Sequence, residues 1–571
     1  MRRGLVKKLL VVGVLIFAAA PVWAAKNVIV MVPDGCGASL QTLARWYKGA
    51  PLAVDPLVVG SVTTYMYDSV VTDSAPASTA MATGYKSNDK FISVGPIPDG
   101  KLSTLPVPPE ALRYKPLATV LEAAKLKGKA TGVVATSTIS HATPAGFVAH
   151  VHSRSLENDI MEQLVYQNVD VVLGGGKQHL LPTSAGGRRT DGEDLLAVVK
   201  SKGYTYVEKA IELAAVRSGR VFGMFASGAM QPHIDRAELG PEQPSLAEMT
   251  AKAIELLSQD PDGFFLMVEG SQVDWAMHAN DPIWAVTDFL AFDDAVKVAH
   301  DFAKAHGDTL LLAFPDHDTG GITIGNRSTN SSYVAIKVEQ LVEPLKKMKI
   351  TAPALARKIG ASPTADKVKA EVSQWWGVTL SDDDAAAILA EAGKVGLDYA
   401  LGKVVSERHT VLGWTTHGHH GSDVPLWAYG PGAPSGLIDN TDAARIVASA
   451  FGVNLEAVDR HLFVDLQQAL PGATVDRSDP NNPVVRVGAC SLPSSKNTLH
   501  YAPLNLTMPL DGVVVYAPQT GKAYASRLAV AIIQAVQQVA VPFDRARLMS
   551  LLESDHLAEE LGFPIAVEAI R

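Results

Sequence analysis

Six short runs dominated by apolar residues recur along the chain, at 27–32, 131–135, 169–173, 264–268, 309–314 and 424–429. Their shortness and their lack of polar alternation fit strands of a parallel sheet buried on both faces. Segments with helical spacing lie between them. One covers 117–127 and stops before Gly128. Another, 245–258, opens with Ser245 three residues ahead of Glu248, a capping-box arrangement. Strands alternating with helices predict an α/β fold, a three-layer sandwich around a mostly parallel central sheet.

Two stretches depart from that rhythm. Residues 333–409 read as mostly helical and predict an insert, a lid or rim between two site-bearing segments. From 472 onward the pattern shortens, with strands expected at 484–487, 512–516 and 522–524 and a turn at Thr520-Gly521. The expected organisation is a main unit over 25–471 and a small β-rich appendage with C-terminal helices over 472–571. No repeat or low-complexity tract interrupts either part.

Composition then narrows the classes. Arg2, Arg3, Lys7 and Lys8 precede an apolar run over 9–20 and the sequence Pro21-Val22-Trp23-Ala24. This is the layout of a removable export signal over 1–24, placing the mature chain in the periplasm or outside the cell. Arg2-Arg3 leaves the general and the twin-arginine export routes both open. The run is too short for a membrane span of about 20 residues, and no later stretch reaches that length. Removing the four leader charges from the 50 basic residues leaves 46 against 59 acidic ones, a net charge of −13. That balance disfavours nucleic acid as a partner. The 2 cysteines, Cys36 and Cys490, exclude a disulfide scaffold and any C-x-x-C metal motif. They read more readily as two free thiols than as a pair, because a bond has strict geometric demands.

Candidate chemistry collects after the strands. Pro33-Asp34-Gly35 ends the first run. Glu269-Gly270, with Asp274 and His278 beyond, ends the 264–268 run. Asp316-His317-Asp318 follows the 309–314 run, and His417, His419 and His420 precede 424–429. Open α/β sheets bind ligands beyond the carboxyl ends of their strands. Any one of these residues has an ordinary explanation as a turn, cap or surface residue. Together they form an oxygen and nitrogen donor set suited to zinc without cysteine. Buried without cations, Asp34, Glu269, Asp274 and Asp316 would repel one another, which divalent metals would resolve.

Ser74 lies in Thr72-Asp73-Ser74-Ala75-Pro76, which reads as a helix start capped by Asp73 or Ser74. The same position favours an anionic group, and beside zinc a serine alkoxide could attack phosphorus. Arg154 offers forked donors that match two phosphate oxygens, or it is a surface arginine. Thr143 offers a hydroxyl to a hard cation, or it is a turn residue before Pro144.

The segments 33–35, 71–80, 141–154, 268–279, 316–317 and 419–431 resemble the alkaline phosphatase family, in the family's order, across 27–452. The resemblance implies a zinc-dependent hydrolase of phosphate monoesters with Ser74 as nucleophile. It implies a first zinc on Asp274, His278 and His419, and a second on Asp34, Asp316 and His317. It implies a third metal, usually magnesium, on Asp34, Thr143 and Glu269. Arg154 would clamp the phosphate. His419 aligns with the family's H-T-G segment, so His420 replaces its threonine; His417 and His420 are lesser candidates. His141 stands where some members have aspartate and Trp275 where some have lysine. The histidine leaves magnesium, zinc and cobalt all open for the third site. Members are commonly homodimers.

The competing enzyme reading is a phosphodiesterase on the same scaffold. A sulfatase is disfavoured because neither cysteine lies in C-x-P-x-R, and a serine esterase because no G-x-S-x-G occurs. A metal-storage protein is the non-enzyme alternative.

Overall fold

The computed structural model describes residues 24–538, so the expected export signal, but for residue 24, and any helix expected after 538 lie outside the described residues. Ten strands form the central sheet. They are β1 (Asn27–Pro33), β2 (Val58–Thr63), β3 (Ala130–Thr138), β4 (Val171–Gly175), β5 (Thr205–Val207), β6 (Val221–Met224), β7 (Phe264–Gly270), β8 (Thr309–Ala313), β9 (Val424–Tyr429) and β10 (Gly436–Asp439). Their order is β10-β2-β9-β8-β1-β7-β3-β4-β6-β5. Only β9 opposes the rest: it pairs antiparallel with both β8 and β2, while every other pairing in the sheet is parallel.

Helices cover both faces, and the strands show why. Ile29 and Met31 of β1 join one core, with Leu266 and Val268 of β7 and Leu311 of β8. Val28, Val30 and Val32 face the other, with Phe265, Met267, Leu310 and Leu312. Side chains alternate in direction along a strand, so a strand buried on both faces must be apolar at successive positions. The first core is closed by the helices Ala38–Lys48, Leu246–Leu257 and Pro282–His306. The second is closed by Val120–Leu126, Ala142–Val148, Glu157–Tyr166 and Asp442–Phe451.

Helix boundaries follow their caps. Ser245 and Glu248 make the capping box read from sequence. The helix expected at 117–127 is shorter, Val120–Leu126, because Thr119 caps it through a second capping box with Glu122. The strand expected at 169–173 is displaced to Val171–Gly175, where its two glycines continue the sheet.

Residues 338–409 form five helices, Val338–Lys347, Ala352–Ile359, Ala365–Trp376, Asp382–Val395 and Leu397–His409, which pack onto the first core. Beyond 472, five antiparallel strands over 474–509 and a hairpin of Val515–Ala517 with Lys522–Ala525 surround a core of their own. The hairpin turns at Gly521 as its sequence predicts, but the strands Cys490–Pro493, Thr498–Tyr501 and Leu506–Pro509 were not legible in the pattern. Cys36 and Cys490 are buried in separate cores and unbonded. No helix among the described residues is long and apolar enough to cross a membrane.

Candidate metal centre and nucleophile

The reversed strand explains the site. β1, β2, β3, β7 and β8 deliver their carboxyl ends to one rim, and β9, running the other way, brings its amino end to the same rim. Asp34 therefore follows β1, Glu269 lies within β7, Asp316 and His317 follow β8, and His419 precedes β9. Asp274 and His278 sit one turn apart on the helix Gln272–His278 that follows β7.

Two glycines permit the approach. Gly35 adopts φ +70°, and a Cβ there would lie 2.7 Å from Asp274 Oδ1 and 2.8 Å from its Cα. Only a residue without a side chain fits both the backbone and the gap. The Gly35 N–H also donates to Asp316 Oδ1 at 3.1 Å. Gly146 lets the helix Ala142–Val148 lie against the helix Ser74–Thr83, where a Cβ would meet Ser78 Oγ at 2.3 Å. Ser78 Oγ donates across this contact to Ala142 O at 3.0 Å.

Three groups of donor atoms result, each with its members' atoms within 4.8 Å of one another: Asp274, His278 and His419; Asp34, Asp316 and His317; and Asp34, His141 and Glu269. Thr143 Oγ1 donates to Asp34 Oδ2 at 3.1 Å, which puts its hydroxyl beside the third group. All the sequence-derived donors thus converge. His141, noted there only as a departure, joins them.

Hydrogen bonds fix the imidazoles. His278 Nδ1 bonds the carbonyl of His417, and His419 Nδ1 bonds that of Thr72 at 2.8 Å. In both rings Nδ1 is therefore the protonated nitrogen, and the two Nε2 atoms, 3.2 Å apart, turn lone pairs toward each other. A proton or a metal ion must lie between such atoms. Carbonyl-anchored imidazoles of this kind are the usual outer support of zinc ligands.

The carboxylates make the same demand. Asp34, Glu269, Asp274 and Asp316 are all buried. Burial, followed by the charges of Asp316, Asp274 and Glu269, holds Asp34 well above the usual carboxylate range, and burial pushes Glu269 up to about 7. Against the same burial, the hydrogen bond and charge of His278 hold Asp274 below its ordinary value. His278 rises to about 8 despite burial, through its hydrogen bond to Asp274. Burial and then the charge of His317 lower His419 to about 4. Asp34 Oδ1, Glu269 Oε1 and His141 Nδ1 are buried without a hydrogen-bond partner. Unpaired buried donors of this type, beside a surplus of carboxylates, fit divalent cations.

Ser74 opens the helix Ser74–Thr83. Asp73 is the cap, its Oδ2 accepting from Ala75 N at 3.2 Å. Ser74 Oγ is thereby free to face the second group, 3.2 Å from His317 Nε2. Arg154 pairs with Asp73 Oδ1 through one arm of its guanidinium, and its Nη2 lies 3.1 Å from His141 Nε2.

The alkaline phosphatase family model matches residues 25–453. The chain belongs to the alkaline phosphatase family. Alkaline phosphatase 3 of Bacillus subtilis is 39% identical over 456 residues, covering 76% of this chain and 91% of that protein. The Thermus thermophilus alkaline phosphatase structure is 31% identical with a TM-score of 0.66, covering 75% of this chain and 92% of that one. A structure of the alkaline phosphatase of the Antarctic bacterium TAB5, in a His-to-Asp mutant with Mg bound in the M3 site, is 26% identical with a TM-score of 0.53, covering 76% and 99%. This chain is accordingly a phosphatase, and phosphate monoesters are its substrate class.

Within this alkaline phosphatase, three further residues neighbour the donors, and of these only Thr319 escaped the sequence reading. Trp275, on the same helix turn as Asp274, meets His141 edge-on, with ring centroids 5.6 Å apart. Thr319 bridges His317 and Asp274. His420 faces Asp318 at 3.0 Å on the far side of the two-residue ladder that carries His419. His417 is not among the grouped donors; its Nδ1 bonds His278 O at 2.7 Å instead. Of the three histidines, His419 is the one grouped with Asp274 and His278, the choice made from its alignment with the H-T-G segment.

Proposed function

We propose that the chain hydrolyses phosphate monoesters through a phosphoserine intermediate on Ser74. Asp274, His278 and His419 would hold one zinc, and Asp34, Asp316 and His317 a second. Asp34, Thr143, Glu269 and His141 would hold a third divalent cation. The observation that carries this reading is Ser74 Oγ, 3.2 Å from His317 Nε2 at the head of a helix, with Arg154 held beside it by Asp73. Zinc, when bound, supplies Lewis acidity that favours a deprotonated nucleophile and offsets charge on entering and leaving oxygens.

The residues do the rest. The first N–H groups of the Ser74–Thr83 helix favour negative charge on Ser74 Oγ and on the phosphate. Arg154 presents two parallel donors to non-bridging oxygens. Ser74 Oγ attacks phosphorus, the bond to the alcohol oxygen breaks, and the alcohol leaves protonated. Water then attacks the phosphoserine, the Ser74 oxygen–phosphorus bond breaks, and inorganic phosphate departs. Magnesium is the ion bound in the M3 site of the TAB5 His-to-Asp mutant. Here His141 contributes one carboxylate fewer, so zinc or cobalt are alternatives for the third cation.

The test is turnover of p-nitrophenyl phosphate and bis-p-nitrophenyl phosphate by metal-stripped and zinc- and magnesium-restored protein, with acid quenching to trap labelled serine. Metal-dependent turnover faster on the monoester, with label on the wild type and none on Ser74→Ala, is expected. Faster diester turnover would move the chain to the phosphodiesterases. Full turnover by Ser74→Ala would remove the serine from the mechanism.

The same reading includes export to the periplasm or beyond, supported by the leader pattern over 1–24 and checked by N-terminal sequencing of secreted protein. It divides the chain into a catalytic unit over 25–471, an insert over 333–409 and an appendage over 472–571. The homodimer common in the family is checked by sedimentation.

A further inference from the structure

The ligand His278 and the helical insert meet at one residue, His417. His278 Nδ1 bonds the carbonyl of His417, and His417 Nδ1 bonds the carbonyl of His278 at 2.7 Å. Each residue's ring thus grips the other's backbone. The second bond also satisfies a carbonyl at the end of the helix Gln272–His278, where none is available from within the helix. A third bond, from Asn280 Nδ2 to Thr416 O at 3.0 Å, ties the same two segments.

The insert closes on this knot from outside. Tyr399, on the helix Leu397–His409, stacks on the His417 ring with centroids 5.2 Å apart and planes 25° apart. One turn later Gly402 presses on the backbone just after His278: a Cβ there would lie 2.1 Å from Ala279 O. Trp414 Nε1 donates to Ser406 Oγ at 2.7 Å, fastening the His417 segment to the same helix. His417 Nε2 is buried with no partner.

We propose that His417 is a positioning residue for the first metal, and that the insert acts on that metal through Tyr399 and His417. His417 does not touch the ion. It sets the orientation of the His278 ring by presenting a fixed carbonyl to Nδ1, and Tyr399 holds His417 in place. The inference rests on the metal reading of Asp274, His278 and His419.

The experiment titrates zinc alone into the full-length metal-free chain in competition with a coloured chelator, and melts the metal-free chains in parallel. His417→Phe keeps the stack on Tyr399 and removes the ring's hydrogen bond. Its backbone carbonyl is then no longer held. One zinc equivalent is expected to weaken by about 10- to 100-fold, the usual cost of losing such an outer contact. The remaining equivalents should stay as in the wild type, and the metal-free melt should fall by no more than the few degrees that one lost helix-end hydrogen bond costs. His417→Asn, whose side-chain nitrogen matches Nδ1, should recover most of the loss. Tyr399→Ala, at a half-buried position, should weaken the same equivalent by less. A His417→Phe titration that superimposes on the wild type overturns the proposal, as does an equal weakening of every equivalent. A wild-type chain that takes up no zinc would fail the metal reading itself, a result distinct from either.

Discussion

Thr319 joins Asp274 to His317: its hydroxyl donates to Asp274 Oδ1 at 2.7 Å and lies 3.1 Å from His317 Nδ1. Because the single hydroxyl proton goes to the carboxylate, the oxygen must accept from the ring. His317 is thereby fixed with Nδ1 protonated and Nε2 turned toward Ser74. One hydroxyl thus orients a donor of the first group and a donor of the second. Thr319→Val keeps the volume and removes both bonds. Its zinc affinity should fall by roughly tenfold or more, and Thr319→Ser should stay near the wild type. Chelator competition on both variants checks this, and equal affinities for all three chains would refute the bridging role.

Arg154 is held before any substrate arrives. Asp73 fixes one arm, and Nη2 reaches His141 Nε2 at 3.1 Å. Removing a preorganised cationic donor from a charged transition state costs about 10²–10³ in rate. Arg154→Ala should lose that much in kcat/KM for p-nitrophenyl phosphate. Arg154→Lys should fall between, because a lysine restores charge without the fork.

Among the donors proposed for the third site, His141 is the one whose substitution is most informative. Burial, and then the charge of Arg154, lower it to about 4, so it stands as a neutral ring. His141→Asp adds a carboxylate beside Asp34 and Glu269, and carboxylate sites favour magnesium over zinc. The magnesium concentration giving half-maximal activation should fall, and zinc should compete less well. An unchanged magnesium titration would place His141 outside the third site.

Alkaline conditions should stabilise the fold through two half-buried lysines. Burial lowers both Lys86 and Lys125 from the ordinary lysine value to about 8. Below pH 8 both are charged in folded and unfolded chains, and the cost of burying them is fully present. Between about 8 and 10.5 the folded chain has released protons that the unfolded chain still holds, so stability rises with pH across that window. Urea midpoints of the metal-free protein at pH 7, 8, 9 and 10 should climb, and those of Lys86→Met should climb less steeply.

Asp34, Glu269 and Asp316 were legible because each lies within two residues of the end of an apolar run, and a strand's end needs no knowledge of its partners. Asp274 and His278 were legible as one helix face. What the sequence withheld depends on neighbours far along the chain. β9 reads as another strand, but its direction emerges only from its pairing with β8 and β2. Thr319 looks like a loop residue until Asp274 is packed under it. His141 looks like a helix cap until Glu269 approaches from β7. In the appendage, Val484–Val487 and Lys522–Ala525 were legible as short strands, whereas Cys490–Pro493, Thr498–Tyr501 and Leu506–Pro509 carry prolines or polar residues that read as turns.

The reversed β9 also governs when the site can exist. Its amino end supplies His419, the last donor in the chain, 145 positions after Asp274. The first group therefore cannot form in any shorter stretch, whether a nascent chain, a threaded export intermediate or a proteolytic fragment. Closing so long a loop is slow and must precede any reward from the contact. The first group is complete only in a chain long enough to include β9, which pairs between β8 and β2 in the centre of one half of the sheet.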